Sequence, residues 1–214
     1  MKNNPKDAQK TWDDVYNMPE GDIPWYRGEE PEKWFTDIIQ RHSAGRNNAL
    51  DIGCGTGVYS NYVSKLGIKV LGIDFSGKAI GIAKKKYANS KNLQFLTGSI
   101  FKIEKITNGK FDLVFAISVL HTIPNNEWRD FANKVTESMT KGGILVMLNF
   151  TLNDPRFNNQ REYYFPPTKT TTYPMSKEDL TELFSKDFNI LEMREEEIGD
   201  KFKSLRWVTV MEKK

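Results

Sequence analysis

The chain has a single cysteine, Cys54, in 214 residues, so neither an intramolecular disulfide nor a cysteine-rich metal site can form, and no metal is expected. Long apolar runs are also missing. The longest, FDLVFAISVL, falls far short of the roughly 20 residues that cross a bilayer, and it contains Asp112. The opening MKNNPKDAQK lacks the apolar centre of a signal peptide. Nor does one sign of charge dominate: 31 basic residues face 28 acidic ones, a net +3, without the clustered basic face that nucleic-acid binding calls for. The densest basic run, Lys84-Lys85-Lys86, reads as the solvated side of a helix. There is no internal repeat. These absences leave a soluble, cytoplasmic protein with no membrane partner, long enough for one domain with a substantial core.

What is present is an alternation of short apolar runs with helical patterns. ALDIG, KVLGIDF, LQFLT, FDLVFAIS and GILVMLNF read as strands rich in β-branched and aromatic residues. Helices are expected from about Val58 to Leu66, after Ser76 as N-cap, and from about Asn126 to Met139, the last ended by a Lys141-Gly142-Gly143 turn. Strands apolar nearly throughout, separated by helices, imply a parallel sheet covered on both faces. Near the end, MSKEDLTELFSK reads as a capped helix, followed by FNILEMREE and SLRWVTVMEKK as an antiparallel hairpin at a sheet edge. The expected fold is an α/β, Rossmann-like, open doubly wound sheet of about seven strands, mostly parallel, with that antiparallel C-terminal hairpin. One domain spans 1–214: an aromatic segment and helix over 1–46, a core over 47–150, an insertion over 151–175, and a closing helix and hairpin over 176–214.

The stretch LDIGCGTG carries the chemistry. Gly53, Gly55 and Gly57 form a turn between a strand and a helix, where phosphates usually bind. Val58 stands where a dinucleotide fingerprint needs its third glycine, and no Gly-Lys-Ser/Thr of a P-loop follows. Asp51 at the mouth of the turn would repel a phosphate. It suits instead a ligand with positive charge and no phosphate, such as S-adenosylmethionine with its ammonium and sulfonium, while the glycines admit the ligand's close approach. Asp74 ends the second strand, where an acidic side chain can accept hydrogen bonds from ribose hydroxyls, and Phe75 can lie on an adenine face. The plainer alternative takes Asp51 and Asp74 as turn formers at strand ends.

With GIDFS, FDLVFAISVLHTI and KGGILVMLNF added, the run from about Ala49 to Phe150 resembles the class I S-adenosylmethionine-dependent methyltransferases. The resemblance implies a cofactor-binding set of Asp51, Gly53, Cys54, Gly55, Gly57, Asp74, Phe75, Ser99, Ile100 and Ser118, with the turn on the methionine end. Ser99 stands where these enzymes often carry an acidic residue for the adenine amino group, with Ile100 packing on the ring. Cys54 reads as a small filler rather than a nucleophile. The flanks, Trp12 with Tyr16, then IPWYRGEEP, and later YPMSKEDLTELFSKDFNI, resemble the thiopurine, tellurite and halide or thiol methyltransferase branch. That likeness implies that Trp12, Tyr16 and Trp25 line the cofactor or acceptor pocket; the alternative is a hydrophobic staple onto the core.

The resemblance implies an enzyme that transfers methyl to a small-molecule acceptor by in-line displacement. A base is needed only where the acceptor must lose a proton. His121, in VLHTIP, is the candidate base, against a reading as a helix-entry histidine bonded to backbone. His42 reads as a partner of a helix C-terminus. Arg161, Tyr163, Tyr164 and Phe165 either line an acceptor pocket or anchor the insertion on the sheet edge. The competing readings are a methyltransferase for RNA or protein, a non-catalytic S-adenosylmethionine-binding module, and an NAD-dependent oxidoreductase, which Asp51 and the absent third glycine oppose.

Overall fold

In the computed structural model the described residues are 5–19, 22–23, 28–166, 168–199 and 203–214. The apolar runs form β1 (Asn48–Ile52), β2 (Lys69–Asp74), β3 (Leu93–Thr97), β4 (Phe111–Ile117) and β5 (Met139–Phe150), and the chain closes with β8 (Phe188–Ile198) and β9 (Ser204–Lys213). They make one seven-stranded sheet in the order β3-β2-β1-β4-β5-β9-β8. Neighbours among β1 to β5 are parallel, whereas β9 runs antiparallel to both β5 and β8. The second strand of the closing hairpin pairs with β5, leaving the charged β8 at the edge, where its Glu and Arg side chains discourage pairing with another chain.

Helices cover both faces, as the uninterrupted apolar strands require. On one face Trp34, Phe35, Ile38 and Ile39 of α2 (Lys33–His42) and Val63 of α3 (Val58–Lys65) pack on Leu113, Phe115, Val146 and Val210. On the other, α5 (Trp128–Ser138) and α6 (Lys177–Phe184) bury Phe131, Val135, Leu180 and Phe184 against Val114, Leu145 and Met147. The remaining helices are α1 (Pro5–Val15) and α4 (Gly77–Lys86). Ser76 caps α4 by accepting the Ala79 N–H, and Ser176 forms a capping box with Asp179 on α6. No described helix is long and apolar enough to cross a membrane.

One sequence expectation is corrected. The fifth helix stops at Ser138, and Lys141-Gly142-Gly143 lies inside β5 rather than in a turn after a helix. The strand bulges there, because Phe111 pairs with Met139 while Leu113 pairs with Ile144. Gly142 takes a φ of +70°, and a Cβ on Gly143 would sit 2.9 Å from the Thr140 carbonyl oxygen. The glycines serve a bulge, a signal that sequence cannot tell from a helix stop.

Strand order reverses between β1 and β4, and the carboxyl ends of the strands at such a switch point are where ligands of open α/β sheets bind. The 151–175 insertion follows β5 at that same end. It contains a short antiparallel pair, β6 (Tyr163–Phe165) and β7 (Thr170–Thr172). A ladder of rings runs from His121 to Phe150, Phe157 and Tyr163, with centroid separations of 4.4, 5.2 and 5.3 Å. Arg161 pairs with Asp179 at the start of α6, and the Tyr173 N–H donates to the His121 carbonyl. The insertion is thus anchored at Arg161 and at Tyr173, with Tyr164 outward and Phe165 half-buried.

Candidate active site

The glycine turn uses its amides internally. Gly53 and Cys54 donate to the Ile73 carbonyl, Gly57 to the Cys54 carbonyl, and Gly55 to Asp74 Oδ2 at 2.8 Å. These are the donors that a phosphate would need, so the turn presents carboxylates where a phosphate site presents N–H groups. Gly53, Gly55 and Gly57 all have positive φ, at +69°, +53° and +85°. A Cβ on Gly57 would lie 2.4 Å from Phe95 Cζ, and one on Gly53 would lie 2.5 Å from Val119 Cγ2. Conformation and space both demand glycine.

Two buried carboxylates face this turn. Asp51 is 2% exposed and accepts the Ser60 hydroxyl at 2.6 Å. Burial raises its pKa to about 7, with the Ser60 hydrogen bond opposing the rise and the charge of Asp74 adding to it. Asp74 accepts Gly55 N–H on one oxygen and Ser76 N–H on the other, both at 2.8 Å, and burial lifts it to about 6 against those two bonds. Each oxygen of Asp74 keeps a further lone pair able to accept another hydrogen bond. A cation placed beside them would favour their ionised forms and lower both pKa values.

The turn is roofed from the N-terminal side. Tyr16, just past α1, is buried with its hydroxyl 2.8 Å from where a Gly55 Cβ would stand. Asp13 on α1 accepts the Ser76 hydroxyl at 2.5 Å and the Lys78 N–H at 3.1 Å, which fastens α1 to the start of α4. No motif pointed to Asp13; only its position one turn before Tyr16 connects it to the site. Trp12 is half-buried on the same helix, whereas Trp25 lies outside the described residues.

Cys54 is buried against Ile80, Ala83 and Phe95, and burial followed by the charges of Asp51 and Asp74 drives its thiol well above the usual range, so it fills space rather than attacking. Phe75 is half-buried beside Asp74. Ser99 accepts the Phe101 N–H at 3.3 Å, which caps a short 3-10 helix, and Ile100 is buried in the core. Ser118, after β4, has a φ of +63° and accepts Arg206 Nη1 at 2.8 Å. His42 stands in the last turn of α2, as read, where burial first, then Arg41, lower its pKa.

His121 is 3% exposed. Its Nδ1 accepts the Phe150 N–H at 3.2 Å, which puts the proton of the neutral ring on Nε2. Burial, then the nearby Arg206 charge, hold the imidazole well below its usual range. A ring so placed has its lone pair committed to backbone and resists protonation, as the structural alternative expects. Sequence reasoning missed Arg206, which lies on β9, far along the chain from every motif.

The sheet order with its antiparallel hairpin is that of the Rossmann-like methyltransferase fold. A methyltransferase domain model matches residues 50–147. The chain is 27% identical over 217 residues to a tRNA N(3)-methylcytidine methyltransferase of Schizosaccharomyces pombe, covering 87% of this chain and 68% of that protein. It is 24% identical over 180 residues to a 2-heptyl-1-hydroxyquinolin-4(1H)-one methyltransferase of Mycobacteroides abscessus, covering 77% and 74%. Its fold superposes on that of the N-methyltransferase NodS from Bradyrhizobium japonicum, solved with S-adenosyl-L-homocysteine, with a TM-score of 0.73, 17% identity, and coverage of 96% and 97%. The protein is an S-adenosylmethionine-dependent methyltransferase.

Proposed function

We propose that the acceptor is a small molecule that attacks through a soft, polarizable atom, a thiol that has already lost its proton to solvent and arrives as thiolate, a halide or a metalloid, and that the protein supplies no base. The state of His121 carries this reading: its lone pair is spent on Phe150 N–H and burial opposes its protonation. The sulfonium of the bound cofactor already activates the methyl carbon, so a nucleophile that needs no deprotonation requires only alignment. Holding the partners in line supplies about 7–11 kcal/mol in favourable cases.

In this reading Asp74 and the glycine turn hold the cofactor, and Tyr16 and α1 keep water from it. The ring ladder of Phe150, Phe157 and Tyr163 walls the acceptor side. The likeness of the flanks to the thiopurine, tellurite and halide or thiol branch supports the same acceptor class, and the hydroxyquinolone methyltransferase supports a small acceptor in general.

A second reading has one specific observation behind it. The tRNA N(3)-methylcytidine methyltransferase is similar to 87% of this chain. Labelled methyl from S-adenosylmethionine, offered in parallel to a panel of thiols and halides and to bulk tRNA, separates the two. Transfer to the panel without transfer to tRNA supports our reading; label in tRNA alone replaces it.

A further inference from the structure

The near balance of charge conceals a division along the chain. Residues 65–110 carry ten lysines against two acidic residues, Asp74 and Glu104, a net +8 in a chain whose total is +3. Asp74 is buried at the glycine turn, and Glu104 is paired with Lys134 on α5. The clustered basic face that the linear charge pattern did not show is assembled by the sheet.

In a parallel sheet the strand entries stand side by side. Those of β3, β2, β1 and β4 do so at the end of the sheet away from Asp51 and Asp74, and a groove of about 580 Å³ opens there. It is lined by Lys91 ahead of β3, Lys69 at the start of β2 and Lys110 ahead of β4, together with the amides of Asn48, Asn92 and Gln94. Adjacent strands lie about 4.8 Å apart, so four entries spread these cations over roughly 14 Å. All three lysines are exposed. The side chains of Lys69 and Lys91 have no partner among the described residues, while Lys110 donates to the Glu137 carbonyl and keeps two further N–H groups. Asp112 stands in the same row, but its two oxygens accept the backbone N–H groups of Asn47 and Asn48, at 2.8 and 3.1 Å.

Complementing helix C-termini accounts for Lys65 and for Lys84, Lys85 and Lys86, in the last turns of α3 and α4. It does not account for Lys69, Lys91 and Lys110 at strand entries. Lysine and amide donors in a concave groove match a row of phosphate oxygens. Phe111 in the wall is buried, so the groove offers charge rather than a surface for stacking bases.

We propose that this groove docks a single nucleic-acid strand through its phosphates, without reading its bases. The strand lies at the opposite end of the sheet from the glycine turn, so the proposal stands independently of which acceptor is methylated. The test is fluorescence anisotropy of a labelled oligouridylate with wild type, with Lys69→Gln/Lys91→Gln/Lys110→Gln, and with Lys33→Gln/Lys177→Gln/Lys186→Gln, which removes the same charge from outside the groove. Thermal melts show that each variant is folded. Wild-type binding should weaken with salt, log K falling against log salt with a slope of at least about 2 in magnitude for three contacts on a single strand. The groove variant should lose at least tenfold in affinity and about 2 from that slope, with the control variant within twofold of wild type. Absence of wild-type binding at low salt, equal losses in the two variants, or binding of phosphatidylserine vesicles in place of the oligonucleotide overturns the proposal.

Discussion

Ser60, in the first turn of α3, gives its hydroxyl to Asp51 Oδ2 at 2.6 Å, and both side chains are buried. This bond opposes the burial that carries Asp51 to about 7. Asp74 rises to about 6 for the same leading reason. In the unliganded protein both hold protons that the unfolded chain sheds near pH 4, so its stability falls as pH rises from about 4 to about 7. A cationic ligand favours the ionised forms and reverses that penalty. Cofactor affinity is therefore expected to rise with pH between about 5 and 7 and flatten above, by at most about tenfold per unit for each proton released. Calorimetry near pH 6 in buffers of different ionisation enthalpy should register proton release, and Ser60→Ala should shift the rise to higher pH. Affinity flat across this range would contradict the account.

Gly55→Ala and Gly57→Ala should differ in severity. At Gly57 the added methyl meets the buried Phe95 ring and the φ of +85° is strained, so a loss of roughly 2–5 kcal/mol is expected. At Gly55 the obstacle is the Tyr16 hydroxyl alone, with the next ring atom 3.7 Å away. Adding Tyr16→Phe to Gly55→Ala should recover the steric part and leave the conformational cost of about 1–2 kcal/mol. Thermal melts of the single and double variants measure this, and an absence of recovery would remove Tyr16 from over the turn.

Asp13→Ala should cost about 1 kcal/mol as the loss of a cap on α4. Because Asp13 also fastens the helix that carries Tyr16, cofactor release should quicken in this variant by more than the stability change implies. Stopped-flow displacement of bound cofactor supplies the rate. A wild-type release rate in a destabilised variant would mean that α1 plays no part in holding the ligand.

His121→Asn keeps an acceptor near the Nδ1 position. It should lower the melting temperature while kcat/KM stays within tenfold and the pH profile keeps its shape. Removal of a general base would instead cost about 10²–10⁴-fold.

The legible parts of the fold were those written in local patterns. Five apolar strands, the Ser76 and Ser176 caps and the Gly53–Gly57 turn each announce themselves within a few residues. The Gly142-Gly143 bulge did not, because two glycines after a helix look alike whether they stop it or bend the next strand. Asp51 and Asp74 could be read from the mismatch between acid and phosphate turn. Asp13 and Arg206 could not, since their partners Ser76 and Ser118 lie 63 and 88 positions away and no motif links them. His121 was visible as a histidine in the right loop, but its commitment to the Phe150 backbone depends on the meeting of β4 and β5.

The most direct measurement is calorimetric titration of wild type and Asp74→Ala with S-adenosylmethionine and, in parallel, with NAD. Binding of S-adenosylmethionine that weakens at least tenfold in Asp74→Ala, with no NAD binding, is the predicted result. Binding of NAD, or an Asp74→Ala variant that folds and binds S-adenosylmethionine as wild type does, would contradict the assignment of the acid-walled turn to the cofactor.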